Sequence, residues 1–234
     1  MDTSEKRTFY HGLYYEITRG ECPENPREQF DHPTNMVCWH DRYNLGDRQV
    51  SRHQCKADIL LSIYLPDLPS DVVEKCEHLI YQGLDPEAIA ILEKWIEAYT
   101  VTLRLFLYDH SGITMSTGAF SCPWDSGQVG LIYITRETVF KEFPSWKYLT
   151  KNRIKQVISL LEAEVSEYDN YLTGEVYAFS VTNAEGEVLD SCCGYYGDPL
   201  GYATTCAKES IDFLVKPQEG KQPEQLQLFP EASA

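Results

Sequence analysis

Val101-Thr-Leu-Arg-Leu-Phe-Leu-Tyr-Asp109 sets Val101, Leu103, Leu105 and Leu107 on one side of an extended chain, with Thr102, Arg104, Phe106 and Tyr108 on the other. An apolar residue at every second position marks a strand with one face on a core. The same period returns in Ile113-Thr-Met-Ser-Thr117 and Leu131-Ile-Tyr-Ile-Thr135, so three neighbouring strands in a meander are expected. Downstream, Ile154, Val157, Ile158, Leu161, Val165 and Tyr168 fall on one stripe, which predicts a helix from about Lys151 to Tyr171 closed by Gly174. Residues 174–182 (GEVYAFSVT), the turn Asn183–Gly186 and residues 187–193 (EVLDSCC) then read as a β-hairpin, followed by a helix near Gly201 to Val215. The sum is an α+β fold: one mostly antiparallel β-sheet of five or more strands between Val101 and Cys193, with helices packed on one face.

Working outward, residues 101–215 form the expected α+β core and residues 1–100 an N-terminal lobe, either separate or part of the same domain. In that lobe Thr8 to Thr18 reads as an aromatic strand interrupted at Gly12, and Gly20 to Pro33 as a turn-rich acidic loop. Asn35 to Trp39 reads as a short strand, and the apolar run Ala57–Leu65 (ADILLSIYL), bounded by Pro66, as a buried strand. Two helices follow. Ser70 is the expected cap of the first, whose apolar face is Val72, Val73, Cys76, Leu79 and Ile80. Pro86 sits in the first turn of the second, where its missing N–H costs nothing, ahead of Ile89, Ile91, Leu92, Trp95 and Ile96. Residues 216–234 turn polar and Pro/Gln/Glu-rich, which predicts a flexible tail.

The chain has 234 residues, 43% of them hydrophobic, enough to build a core without covalent staples. It contains no apolar run of membrane-spanning length, and the polar start Met-Asp-Thr-Ser-Glu-Lys-Arg-Thr lacks an export signal, so a cytoplasmic protein with no membrane partner is expected. In that compartment the eight cysteines are expected as reduced thiols. The net charge is −16, and no Lys or Arg occurs between Lys155 and Lys208. Glu162, Glu164, Glu167, Asp169, Glu175, Glu185, Glu187, Asp190 and Asp198 all fall in that gap. Such a stretch repels phosphate, so direct nucleic-acid binding is not expected, whereas docking to a basic protein surface is favoured if these carboxylates share one face. The bland alternative is a solvated acidic surface.

Three groups of residues carry chemistry. Asp109, His110, Cys122 and Asp125 include the residue types of a nucleophile, its base and an orienter, on condition that His110 meets Cys122 across the hairpin. Read instead as a rigid binding loop, the same connection offers Trp124, Asp125, Ser126 and Gly127, with Pro123 stiffening it. A structural reading would put Trp124 underneath the turn. Second, Cys38-Trp-His40 and His53-Gln-Cys55 form a CxH and HxC pair, and residues two apart on facing strands would converge Cys38, His40, His53 and Cys55 on one tetrahedral Zn²⁺. No other cofactor is expected. Third, Gln225-Leu-Gln-Leu-Phe229 is an apolar run in a polar tail. It resembles the bacterial sliding-clamp-binding pentapeptide through Gln225, Leu226, Leu228 and Phe229.

Met36–Gly46 (MVCWHDRYNLG), Tyr108–Gly112 (YDHSG), Cys122–Gly130 (CPWDSGQVG), Tyr168–Gly174 (YDNYLTG) and Asp190–Gly197 (DSCCGYYG) together resemble a family of uncharacterised proteins carried by bacteriophages, plasmids and prophages. Where family members tend to have Cys-Trp-Gly, this chain has Cys192-Cys193-Gly194. The resemblance implies a setting, a mobile-element protein in the bacterial cytoplasm whose partners are host or phage proteins. The expected function is therefore a non-enzymatic accessory protein that binds partners through its acidic region and the Tyr108–Gly130 loop, with Asp190 and Tyr196 as further contact residues. Counter-defence or modulation of host DNA transactions fits that setting. A small Cys/His hydrolase or transferase and a zinc-stabilised binding module are the alternatives.

Overall fold

The computed structural model describes residues 7–20, 23–197 and 201–216. In chain order the elements are β1 (Thr8–Tyr10), β2 (Leu13–Arg19), α1 (Pro26–Gln29), β3 (Asn35–Cys38), β4 (Arg48–Gln49), α2 (Lys56–Tyr64), α3 (Ser70–Tyr81) and α4 (Asp85–Tyr99). They continue with β5 (Thr100–Asp109), β6 (Ile113–Ser116), β7 (Ser126–Thr135), α5 (Arg136–Glu142), α6 (Lys151–Thr173), β8 (Val176–Thr182), β9 (Val188–Tyr196) and α7 (Tyr202–Val215). The fold is α+β, as the sequence leads one to expect. The chain divides into two compact units, residues 19–176 and residues 1–18 with 177–234.

In the larger unit the sheet order is β4-β3-β7-β5-β6, antiparallel throughout except for the short parallel β3–β4 pair. Strand β3, from the N-terminal hundred residues, is therefore a member of the same sheet as β5 and β7. Alternation along β3 and β7 explains why both faces are covered. Met36, Cys38, Ile132 and Ile134 face the core beneath α6, while Val37, Leu131 and Tyr133 face α2, α3 and α4. Where a single helical face was expected, helices thus lie on both. On α6 the stripe Val157, Leu161, Val165 and Tyr168 is buried, each side chain contributing about 1.5–3 kcal/mol. Thr150 caps this helix by accepting from Arg153 N, and Gly174 (φ 72°) ends it while Glu175 N donates to Asn170 O at 2.7 Å.

A buried ionic cluster ties α1 to α6. Arg27, its side chain only 2% exposed, donates from Nε and Nη2 to the two oxygens of Asp47 at 2.7 Å each and from Nη1 to Glu164 Oε2. Thr34 donates its hydroxyl to the same Glu164 oxygen, and His32 Nδ1 lies 3.3 Å from it. Asp47 Oδ2 also accepts from Met36 N at 2.6 Å, so the cluster holds β3 as well.

In the smaller unit β1, β2, β8 and β9 form a separate sheet in that order. The expected single sheet from Val101 to Cys193 is therefore corrected to two. Phe179 and Val181 of β8 pack with Tyr15, Ala207 and Ile211 in a core of their own. The Thr8–Thr18 run is a hairpin and not one strand: His11 (φ 44°) and Gly12 (φ 94°) take the paired positive angles of a tight two-residue turn, with Tyr10 opposite Leu13.

Three local expectations are overturned. Of residues 57–65, all but Leu65 are helical (α2), because Cys55 caps that helix by accepting from Asp58 N at 3.4 Å and Ala57, Leu61 and Tyr64 share a helical stripe. Ser70 is the first residue of α3, and the cap position is Pro69, with no side-chain hydrogen bond. The loop at 20–33 contains α1, capped by Asn25 accepting from Arg27 N at 3.1 Å. Helix α5 follows β7 without a loop, capped by Thr135. The tail motif Gln225–Phe229 and Asp198 lie outside the described residues.

Candidate functional site at the end of the sheet

Cys38 ends β3, Asp109 ends β5 and Ser126 opens β7, and the antiparallel register brings all three to the same end of the five-stranded sheet. The connections 39–47 and 110–125 therefore rise side by side. Close contact between β3 and β7 requires Gly130: a Cβ there would lie 2.6 Å from Val37 O and 2.9 Å from Cys38 Sγ. The 110–125 connection is tied to itself. Asp109 N donates to Asp125 O at 2.8 Å, His110 N to Gly112 O at 3.0 Å, and Ser126 Oγ to Cys122 O. Ser111 (φ 58°) and Gly112 (φ 152°) make its reversal, and Phe120 packs 5.7 Å from the Tyr108 ring.

Two adjoining cavities of about 410 and 280 Å³ open at this end. Trp39, His40, Arg42 and Arg52 line both. Arg42 pairs with Asp109, whose other oxygen accepts from the Tyr43 hydroxyl at 3.2 Å. Arg52 pairs with Asp41 at 2.6 Å, and His53 Nε2 stands 3.6 Å from the same carboxylate. His40 Nδ1 accepts from both Arg42 N and Tyr43 N at 3.2 Å, which fixes the tautomer carrying its proton on Nε2. Desolvation, then the Arg42 charge, lowers its pKa, which favours the neutral ring. Trp124 stands at the smaller cavity with 92% of its surface in solvent, opposite to the structural reading in which it packs beneath the turn.

The structure brings Cys122, Asp125 and His110 together, but not in catalytic order. Cys122 Sγ donates to Asp125 Oδ2 at 3.5 Å, and His110 Nδ1 lies 3.6 Å from that same oxygen. Thiol and imidazole thus both address the carboxylate, and no hydrogen bond joins them among the described residues. Asp109 is engaged with Arg42 and Tyr43 instead. The pairing of His110 as base with Cys122 as nucleophile is therefore not formed, and the group that accepts from the thiol is the Asp125 carboxylate.

The four residues paired in the zinc reading are placed apart in role. Cys38 is fully buried in the α6-side core, its thiol pushed up to about 12 chiefly by burial, with Asp47 adding to it. Cys55 belongs to the cap of α2, and His40 spends Nδ1 on backbone amides. His40 and His53 line a common cavity. Among the described residues no group of three or more His, Cys, Asp or Glu side chains is placed to hold a metal ion.

Within the acidic stretch, several carboxylates are spent on internal partners. Glu164 is inside the buried cluster, and Asp169 Oδ1 accepts from Thr114 Oγ1 at 2.7 Å and Met115 N at 2.6 Å. Glu175 pairs with Arg19, and Glu187 Oε2 accepts from Asn183 Nδ2 at 2.8 Å. Glu162 to Glu175 belong to the larger unit and Glu185, Glu187 and Asp190 to the smaller. Asp190 there accepts from Ser191 N at 2.8 Å and from the Ser210 hydroxyl, and Tyr196 ends β9.

Sequence reasoning put Trp124, Asp125, Ser126 and Gly127 in the site but left out Trp39, Arg42 and Arg52. Their signal was the dense run Trp39-His-Asp-Arg-Tyr43 directly after a strand, the usual position of a working loop. No described helix is long and apolar enough to cross a membrane. Comparisons of the chain with protein-family models, with curated proteins and with solved structures give no match, so the site is read from its own geometry.

Proposed function

We propose that this is a non-enzymatic binding protein that grips a protein partner at the end of the five-stranded sheet, with Trp124 as the anchor. The observation that carries the reading is the indole itself. It stands almost wholly in solvent on a turn tied on both sides, by Asp109 N to Asp125 O and by Ser126 Oγ to Cys122 O, so the ordering cost of the backbone that carries it is met before a partner arrives. Trp, Arg and Tyr dominate binding hot spots, and Trp124, Trp39, Arg42, Arg52 and Tyr43 gather here. The fitting partner surface has an apolar pocket for the indole and polar groups able to exchange with the Arg42–Asp109 and Arg52–Asp41 pairs. In the mobile-element setting that the sequence motifs resemble, such a partner is a bacterial host or phage protein. The Gln225–Phe229 segment is proposed as an added tether to the sliding clamp.

Affinity capture from bacterial lysate with the full chain, set beside Trp124→Ala, tests this. The expected result is a partner enriched by the parent and depleted roughly thirtyfold by the variant, the scale of a hot-spot residue, with unchanged circular dichroism. Equal recovery of the same proteins by both would end the reading. Deleting residues 225–229 should remove clamp recovery while leaving the Trp124-dependent partner in place.

A further inference from the structure

Within the smaller unit α7 packs on β9, and two side-chain contacts bracket their meeting. At one end the Ser210 hydroxyl donates to Asp190 Oδ2, and at the other the Tyr195 and Tyr202 rings meet edge to face with centroids 5.9 Å apart. The pairs 190 with 210 and 195 with 202 mean that strand and helix run in opposite directions. Between these ties each element carries a thiol. Two residues along β9 from Asp190 is Cys192, a step of about 6.6 Å in an extended chain. One turn back along α7 from Ser210 is Cys206, a step of about 6 Å. The steps match, so the two cysteines come opposite one another, and the Tyr195 hydroxyl between them hydrogen-bonds both thiols. The geometry points to Cys192 and Cys206 as an oxidation site, a thiol pair that hydrogen peroxide converts to a reversible disulfide joining β9 to α7.

Exposure sets the order of events. Cys192 is exposed, whereas Cys206 is half-buried and packs against the core of Tyr15, Phe179 and Ile211. Cys192 therefore meets the oxidant first. Its sulfur attacks one peroxide oxygen, the O–O bond breaks, and the products are a sulfenic acid and one water. The Cys206 sulfur then attacks the Cys192 sulfur, the S–O bond breaks, and the departing hydroxide takes the Cys206 proton as a second water. Two thiols and one peroxide thus give one disulfide and two waters, the electron pair passing from sulfur to oxygen. Burial first, and then the two thiols, raise the pKa of Tyr195, so its hydroxyl keeps a proton to donate to the attacking sulfur. In a reducing compartment both thiols rest unpaired, and the bond forms only while oxidant is present. Cys193, also exposed and next in sequence, is the internal control.

The full chain, treated with a small excess of hydrogen peroxide and then alkylated, should lose one pair of thiols without forming intermolecular cross-links on non-reducing gels. Unreduced peptide mapping should find Cys192 joined to Cys206, and dithiothreitol should restore both thiols. In Cys206→Ser the reaction should halt at Cys192, where dimedone traps the sulfenic acid. In Cys192→Ser the Cys206 thiol should survive the same dose, and Cys193→Ser should leave the yield of the cross-link unchanged. A bond that runs through Cys193 in place of Cys192, thiols that oxidise separately to sulfinic acids, chains joined to one another, or a pair untouched by a large excess of peroxide would each overturn the assignment. None of these outcomes bears on Trp124, so the two readings fail separately.

Discussion

Two arginine clusters in the larger unit use the same chemistry to opposite ends. Arg27, with Asp47 and Glu164, is 2% exposed and has every direction filled by a carboxylate, a hydroxyl or a carbonyl. Arg42, with Asp109, is 71% exposed at a cavity mouth. Arg27 and Glu164 are out of water and cannot exchange partners without an uncompensated buried charge, so that pair is part of the fold. The second is screened by solvent and can trade its carboxylate for a partner's at little cost. Burial, and not residue type, separates a structural ion pair from one available for recognition.

The contrast breaks most visibly at Arg27. Arg27→Ala strands Glu164 and Asp47 and should cost about 3–5 kcal/mol in denaturant unfolding, and a loss below about 1 kcal/mol would erase the distinction. Gly130→Ala comes next, since its Cβ meets Val37 O at 2.6 Å and must push β3 off β7. An overpacking cost of about 1–3 kcal/mol is expected in thermal or chemical melts, with the sheet-end site distorted as well. A pH titration of stability sharpens the buried side. Cys38 and Tyr168 are both raised to about 12 by burial. Each keeps its proton in the folded chain after the unfolded chain has lost it. Their contribution is therefore whole below pH 9 and is lost as pH rises toward 12, at up to about 1.4 kcal/mol per pH unit for each group. Flat stability between pH 9 and 11 would contradict that burial. Arg42→Ala is the smallest, about 0.2–1 kcal/mol and shrinking further in high salt, and its effect should show instead in partner capture.

Much of this architecture was readable from periodicity. The alternation in 101–109 and 131–135, the α6 stripe and its Gly174 stop, and the 176–196 hairpin are local patterns in which each residue's preference agrees with its final environment. Ala57–Leu65 was misread because a nine-residue, mostly apolar run bounded by Pro66 is as long as a buried strand, and the capping thiol of Cys55 is not among the usual cap residues. In the site, Trp124, Asp125 and Ser126 were legible because turn-forming residues surround them. Arg42 and Arg52 were not, because each is defined by a cavity that exists only after β3 and β7 pair. The acidic gap between Lys155 and Lys208 misled for a related reason: charge counted along a chain says nothing about which carboxylates turn inward, as Glu164 and Asp169 do.

By itself the sequence determined the class of the fold, the identity of most strands and helices, and the presence of a stiff loop after Tyr108, because these depend on spacings of a few residues. Only the tertiary structure decided that β8 and β9 leave the main sheet, that Arg27 and Glu164 meet across 137 positions, and that Asp125 stands between Cys122 and His110. Those outcomes rest on contacts between distant segments, where packing of whole faces chooses among local patterns that are equally acceptable on their own.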